Sequence, residues 1–200
     1  MRRIQLSLLT VFLAAPTLGQ ITGTYLLSTS NAVSPGAPTT TIGVWATWTD
    51  PNAEWAFATG DYDLAAGDGV FSNPVNVLNG PGSSAGVIAS NMISGAVNGQ
   101  LHIPQIGLLA SRDNPILLAT YDWTTSNFIP RSVSLDTSHT TFFEIGWWDP
   151  KAYANPHPPY LRLFPSAFTP GSGVIIVIPV PAAWVVLALP LVAASRRRRC

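Results

Sequence analysis

Ser84 stands in Gly-Ser-Ser-Ala-Gly (82–86), the Gly-x-Ser-x-Gly order of a nucleophilic serine. That chemistry needs the serine on a sharp strand-to-helix turn, its oxygen presented to a histidine. Here the motif lies in NGPGSSAGVIAS, with turn residues before it and a strand-like run after it. A flexible Gly/Ser loop is the preferred reading, and a secreted serine hydrolase the alternative. Asp61, Asp63 and Asp68 in GDYDLAAGDGVF form the second candidate, since closely spaced carboxylates near glycines can ligate Ca²⁺ through oxygen. Leu64 and Ala65 fall where an EF-hand loop would place ligands, and no glutamate closes the loop. A solvated acidic turn is therefore preferred, with calcium as the alternative and no other cofactor expected. His102, His139 and His157 share no ligand-like spacing, so no histidine metal site is expected.

The aromatic residues carry the strongest chemical signal of the body. Trp45, Trp48, Trp55, Trp123, Trp147 and Trp148 all fall in runs with strand character. Adjacent Trp147 and Trp148 must point to opposite faces of a strand. One of them would then be free to stack on a sugar ring, with Tyr153, His157 and Tyr160 following closely as a rim. Core packing is the competing use, and the expected one for most of these rings, because aromatics dominate β cores.

The elements that must position these residues read as strands. Runs rich in Val, Ile, Thr and aromatics alternate with Gly, Pro, Asn and Asp from Gln20 to Pro170. In TIGVWATWT (41–49), Ile42, Val44, Ala46 and Trp48 share one face, opposite Trp45 and Thr47. Further strands are expected at 21–28, 54–60, 85–90, 99–104, 116–125, 131–137, 140–148 and 160–165. Asn98-Gly99 reads as a two-residue hairpin turn. No stretch of the body sustains helical spacing, and 18 prolines and 16 glycines disfavour long helices. The expected body is a single all-β domain, residues 20–170, of β-sandwich or jelly-roll type.

Charge and the two ends bear on where such a chain goes. All ten acidic residues lie between Asp50 and Asp149, whereas six of the ten basic ones lie in the terminal segments. Residues 20–178 hold four basic against ten acidic residues, a net of −6. Such a body is a poor partner for nucleic acid, because phosphate contacts need Lys and Arg. Cys200 is the sole cysteine, so no disulfide forms within the chain. Arg2 and Arg3 precede an apolar stretch from Leu6 to Ala15, and Thr17 and Gly19 are small residues at the −3 and −1 positions of a cleavage site. Residues 1–19 therefore read as an export signal. An uncleaved N-terminal anchor is the alternative.

Residues 171–200 read as a tail. Val174 to Ala194 is uncharged and almost wholly apolar, about the length that spans a bilayer. Pro179 and Pro181 break that run and mark the start of a 13-residue helix, AAWVVLALPLVAA. Arg196, Arg197, Arg198 and Arg199 would hold its end on the cytoplasmic side. The stretch 173–178, GVIIVI, reads either as part of the tail or as a last strand of the body.

The order Ile178-Pro179-Val180-Pro181-Ala182, apolar helix, arginine cluster resembles the PEP-CTERM class of C-terminal sorting domains, in its Val-Pro-Leu-Pro-Ala variant. Val180 stands where the commoner Pro-Glu-Pro form has glutamate. The resemblance implies export and retention in the inner membrane by the helix. It also implies recognition of Pro179, Val180, Pro181 and Ala182 by an exosortase-like membrane enzyme. The product would reside in the cell envelope or outside the cell. On this reading the body is a structural or binding module rather than an enzyme, with a carbohydrate-binding module for extracellular polysaccharide as the first alternative and a secreted hydrolase as the second.

Overall fold

The computed structural model describes residues 21–50, 54–103, 106–140, 145–148, 161–163 and 168–179. Among these residues there is no α-helix, and twelve strands form two sheets. In chain order the strands are β1 (Gly23–Thr29), β2 (Thr39–Trp48), β3 (Ala56–Ala66), β4 (Val70–Asn76), β5 (Val87–Ala89) and β6 (Met92–Gly99). They continue with β7 (Ile116–Thr124), β8 (Arg131–Ser138), β9 (Ile145–Trp148), β10 (Leu161–Leu163), β11 (Phe168–Thr169) and β12 (Ser172–Val177).

The first sheet runs β11-β1-β2-β7-β4, antiparallel except for the β1–β11 pair. Its centre follows from the alternation of β2. Ile42, Val44, Ala46 and Trp48 are all buried, and the partner strand β7 buries Leu118, Tyr121 and Trp123. The second sheet is built on β3. One edge of β3 pairs with β6, while the other is shared by β9 at its start and β8 at its end. Bulges at Phe57/Thr59 and Tyr62/Leu64 let the long strand serve different partners. β10 flanks β9, β5 flanks β6 and β12 flanks β8.

The two sheets share one core. Tyr25 of β1 meets Tyr62 of β3 with ring centroids 5.1 Å apart, and Trp48 of β2 meets Phe57 of β3 at 6.4 Å. Phe168 of β11 reaches Trp147 of β9 at 5.9 Å. The Tyr62 and Tyr121 hydroxyls are 3.1 Å apart. Since Tyr121 donates its proton to the Ala85 carbonyl, Tyr62 donates to Tyr121.

Several strands depart from the sequence expectation for definable reasons. Asn98-Gly99 is no hairpin turn: Asn98 is fully buried near the end of β6 and pairs with Gly60. Its amide donates to the Leu118 carbonyl at 3.1 Å, a use that outweighs turn preference. The two-residue turn is Ser90-Asn91, joining β5 to β6, with Ser90 at φ 56°. Of the strand expected at 99–104, Gly99 ends β6 and residues 100–103 form only the Ile103–Leu108 bridge, while Pro104 lies outside the described residues. β4 is not legible as a strand in the sequence because Asn73-Pro74 interrupts its pattern. The sheet accommodates Pro74 on an edge strand, at a register shift between Ser72 and Val75. Strand pairing also runs past residue 170. The stretch 173–177 belongs to β12, with Ile175 and Val177 buried against the core and Ile178 just past its end.

Candidate functional site

Trp147 and Trp148 divide as the pleat requires. Trp147 is fully buried in the core cluster. A buried aromatic removes roughly 150–250 Å² from water, which at ~25 cal/mol per Å² is about 4–6 kcal/mol before entropy. The core therefore claims this ring, and Trp147 does not serve as a ligand surface. Trp148 pairs with Ala56 and Leu161 and is only half-buried. Its ring lies 5.4 Å from that of His102, tilted by 35°. Tyr160 lies outside the described residues, as do Tyr153 and His157.

Trp148 forms one side of a surface groove of about 160 Å³, with Thr59, Pro81, Ser83, Gln100 and Leu101 among its other walls. The sequence explains its rigidity locally. Gln100 donates to the carbonyls of Phe57 (2.9 Å) and Ser111 (3.2 Å) and accepts from the Ser111 amide (2.7 Å). Ser83 Oγ accepts from the Gly99 amide at 3.1 Å. Gly80 is needed here, because a Cβ would stand 2.6 Å from the Gly99 carbonyl oxygen. Among the described residues no charged side chain lines the groove. The Trp148 indole N–H is buried and has no hydrogen-bond partner among the described residues. The chemistry on offer is the half-buried indole face beside the Ser83 and Thr59 hydroxyls and the Gln100 amide, a surface on which a hydroxylated ligand could stack. Among these residues only Trp148 was singled out by sequence. Gln100, Pro81 and Leu101 lie in loops that carry no motif.

The three aspartates are separately engaged. Asp61 is buried in β3 and accepts from the Thr140 hydroxyl. Asp63 accepts from the Gly95 amide at 2.7 Å. Asp68 pairs with Arg131, whose Nε and Nη2 donate to its two oxygens at 2.8 and 3.2 Å. Among the described residues no group of three or more His, Cys, Asp or Glu side chains is placed to hold a metal. Asp68-Gly69 does serve as turn chemistry: Gly69 has φ 79° and lies under Trp123, whose indole donates to the Asp68 carbonyl at 2.7 Å.

Ser84 is exposed in the segment before β5. Its backbone bridges to Val97, and its Oγ accepts from the Gly86 amide at 3.1 Å. That is a local loop bond, and the strand-to-helix elbow is not its setting. His102 Nδ1 accepts from the Ala110 amide at 3.1 Å, which places the ring proton of its neutral form on Nε2. His139 follows β8 on the exposed surface. Pro179 is described and exposed just past β12. Val180, Pro181, Ala182 and Arg196 to Arg199 lie outside the described residues. No described helix is long and apolar enough to cross a membrane.

The described residues thus define an all-β protein of two facing sheets with an uncharged, tryptophan-sided groove. No protein-family model matches the chain, and comparison with curated proteins finds no relative.

Proposed function

We propose that this chain is an exported protein of the cell envelope or extracellular matrix, a structural or binding module carried on a β-sandwich body. On this reading residues 182–194 hold it in the inner membrane, with Arg196 to Arg199 on the cytoplasmic side. An exosortase-like enzyme then processes it at the motif Pro179-Val180-Pro181-Ala182. The observation that carries the reading is the ordered trio in the sequence: paired prolines, apolar run, arginine cluster. The exposure of Ile178 and Pro179 just past β12 supports it, since the first proline of the motif is open to an enzyme.

The test separates a sorting signal from a plain anchor. Replacing Pro179 and Pro181 with alanine keeps hydrophobicity and charge and removes helix breakers, so an anchor holds as well or better. A sorting substrate instead accumulates uncut in the membrane of cells that possess the enzyme. Equal full-length mass in the membrane for wild type and the double variant would rule out processing through this motif.

A second reading is favoured by the groove: the body binds a neutral polysaccharide through Trp148. Trp148→Ala is expected to weaken retention on such a polymer about tenfold or more, roughly 1.4 kcal/mol, while the strand circular dichroism of the body is kept. Retention of both forms alike in a titrated pull-down, or of neither, would count against it.

A further inference from the structure

Five segments meet at the end of the body from which β12 releases the chain. They are the loop 30–38, the β3–β4 turn 67–69, the Ser90-Asn91 turn, the loop 125–130 and the exit at Ile178-Pro179. Their mutual contacts are explicit. Thr125 donates to the Pro38 carbonyl (3.2 Å), Val33 donates to Ile176 and accepts from Ile178 (2.8 Å each), and Ala66 donates to Asn91 (2.9 Å). This acidic body is electrically plain here. Across these segments and the adjoining start of β8 the charged side chains are Asp68 and Arg131, and they pair with each other. Its exposed surface is uncharged, with Ser30, Asn31, Ser126 and Asn127 interspersed among apolar side chains. Ile129 is 68% exposed, Ile178 44%, and Val174 and Ile176 stand exposed on the outer face of β12.

The chain's own geometry says what covers this surface. Residues through Val177 are committed to β12, so the 21-residue apolar run cannot all enter a membrane. Ala182 to Ala194, as a helix, would span about 20 Å at 1.5 Å per residue, against a hydrocarbon core of ~30 Å. A span that short is accommodated by thinning the bilayer and by flanking residues reaching to the interface. Only three residues separate Ile178 from Ala182, a reach of at most about 14 Å. On the anchor reading above, the end of β12 is therefore leashed to the headgroup layer.

We propose that this end of the body, with Ile129, Ile176 and Ile178, is a lipid-contacting rim that rests on the membrane surface while the apolar segment is inserted. The inference rests on the anchor reading above and adds the body as a second, apolar membrane contact. Because the body is acidic, attraction to anionic headgroups does not drive this contact, and salt should leave it unchanged.

The test uses the full chain with Cys200→Ser, reconstituted in phosphatidylcholine vesicles, with a polarity-sensitive dye on one introduced cysteine. Ile129→Cys and Ile176→Cys place it on the rim. Leu109→Cys places it on an equally exposed apolar residue at the opposite end, in the loop bonded to His102 and Gln100. Leu187→Cys reports on the apolar segment itself. The expected result is a blue shift and several-fold stronger quenching by lipid-borne quencher at 129 and 176 than at 109, unchanged in high salt. If 187 is quenched while 129 and 176 behave like 109, the anchor stands and the rim is overturned. If 187 stays in water, the anchor reading fails and the rim falls with it.

Discussion

Gly171→Ala is expected to destabilise the body by about 3 kcal/mol or more. Gly171 is wedged between the sheets. A Cβ there would stand 1.8 Å from the Tyr25 carbonyl oxygen and 2.6 Å from its carbon. Both are backbone atoms of β1, held by the ladder to β2, and cannot swing aside as a flexible side chain would. On its other side Gly171 is tied to Thr137 of β8. Its amide donates to Thr137 Oγ1 (2.7 Å), and its carbonyl accepts from the Thr137 amide (2.8 Å) and hydroxyl (3.1 Å). Overpacking alone costs typically 1–3 kcal/mol, and each hydrogen bond lost about 1 more. For a body of this size the melting temperature should fall by roughly 10 °C. Gly36→Ala is the control, since nothing lies within 4 Å of its added methyl. It should change stability by less than about 0.5 kcal/mol. Equal urea midpoints for the two variants would refute the wedge.

The second large effect is alkaline unfolding. Burial pushes the Tyr25 phenol well above its ordinary value, with the nearby Asp61 charge adding to the rise. Burial does the same to Tyr62, reinforced by Tyr121 and Tyr25. Tyr121 is pushed up to about 12 by burial, with the hydrogen bond from Tyr62 acting the other way. An unfolded tyrosine releases its proton near pH 10. Above that pH the unfolded chain holds fewer protons than the folded one, so stability falls as pH rises. Below pH 10 these groups leave stability flat. Above about pH 10 each of the three lowers stability as pH rises, until it also ionises in the folded state, which for Tyr121 comes at about 12. The three losses add, against a whole stability of only about 5–15 kcal/mol for an ordinary domain. Tyrosinate absorbance and loss of strand circular dichroism should therefore appear together in this window. The double variant Tyr62→Phe/Tyr121→Phe should flatten the slope by about two-thirds. Phenols ionising near pH 10 with the strands intact would refute it.

Local pattern carried much of this protein. The alternation of β2, the turn chemistry of Asp68-Gly69 and the opposed directions of Trp147 and Trp148 depend on period and residue type, and each is legible in a short stretch of chain. The charge partition and the apolar run after residue 178 are likewise one-dimensional facts. Tertiary structure decided what local pattern leaves open. Asn98 is a good turn residue, but whether its amide meets water or the Leu118 carbonyl depends on a strand 20 positions away. β4 hides behind Asn73-Pro74 because tolerance of a proline depends on being at a sheet edge, which is a property of the assembled sheet. The groove beside Trp148 draws on Thr59, Pro81, Gln100 and Leu101, which no spacing relates. The three aspartates look like one cluster in sequence, yet they turn to Thr140, Gly95 and Arg131. Their partners come from distant segments, and only packing brings those segments to them. The same holds for the exit end of β12. Its apolar residues can be counted in the sequence, but their gathering with one neutralised ion pair exists only once five separate segments meet.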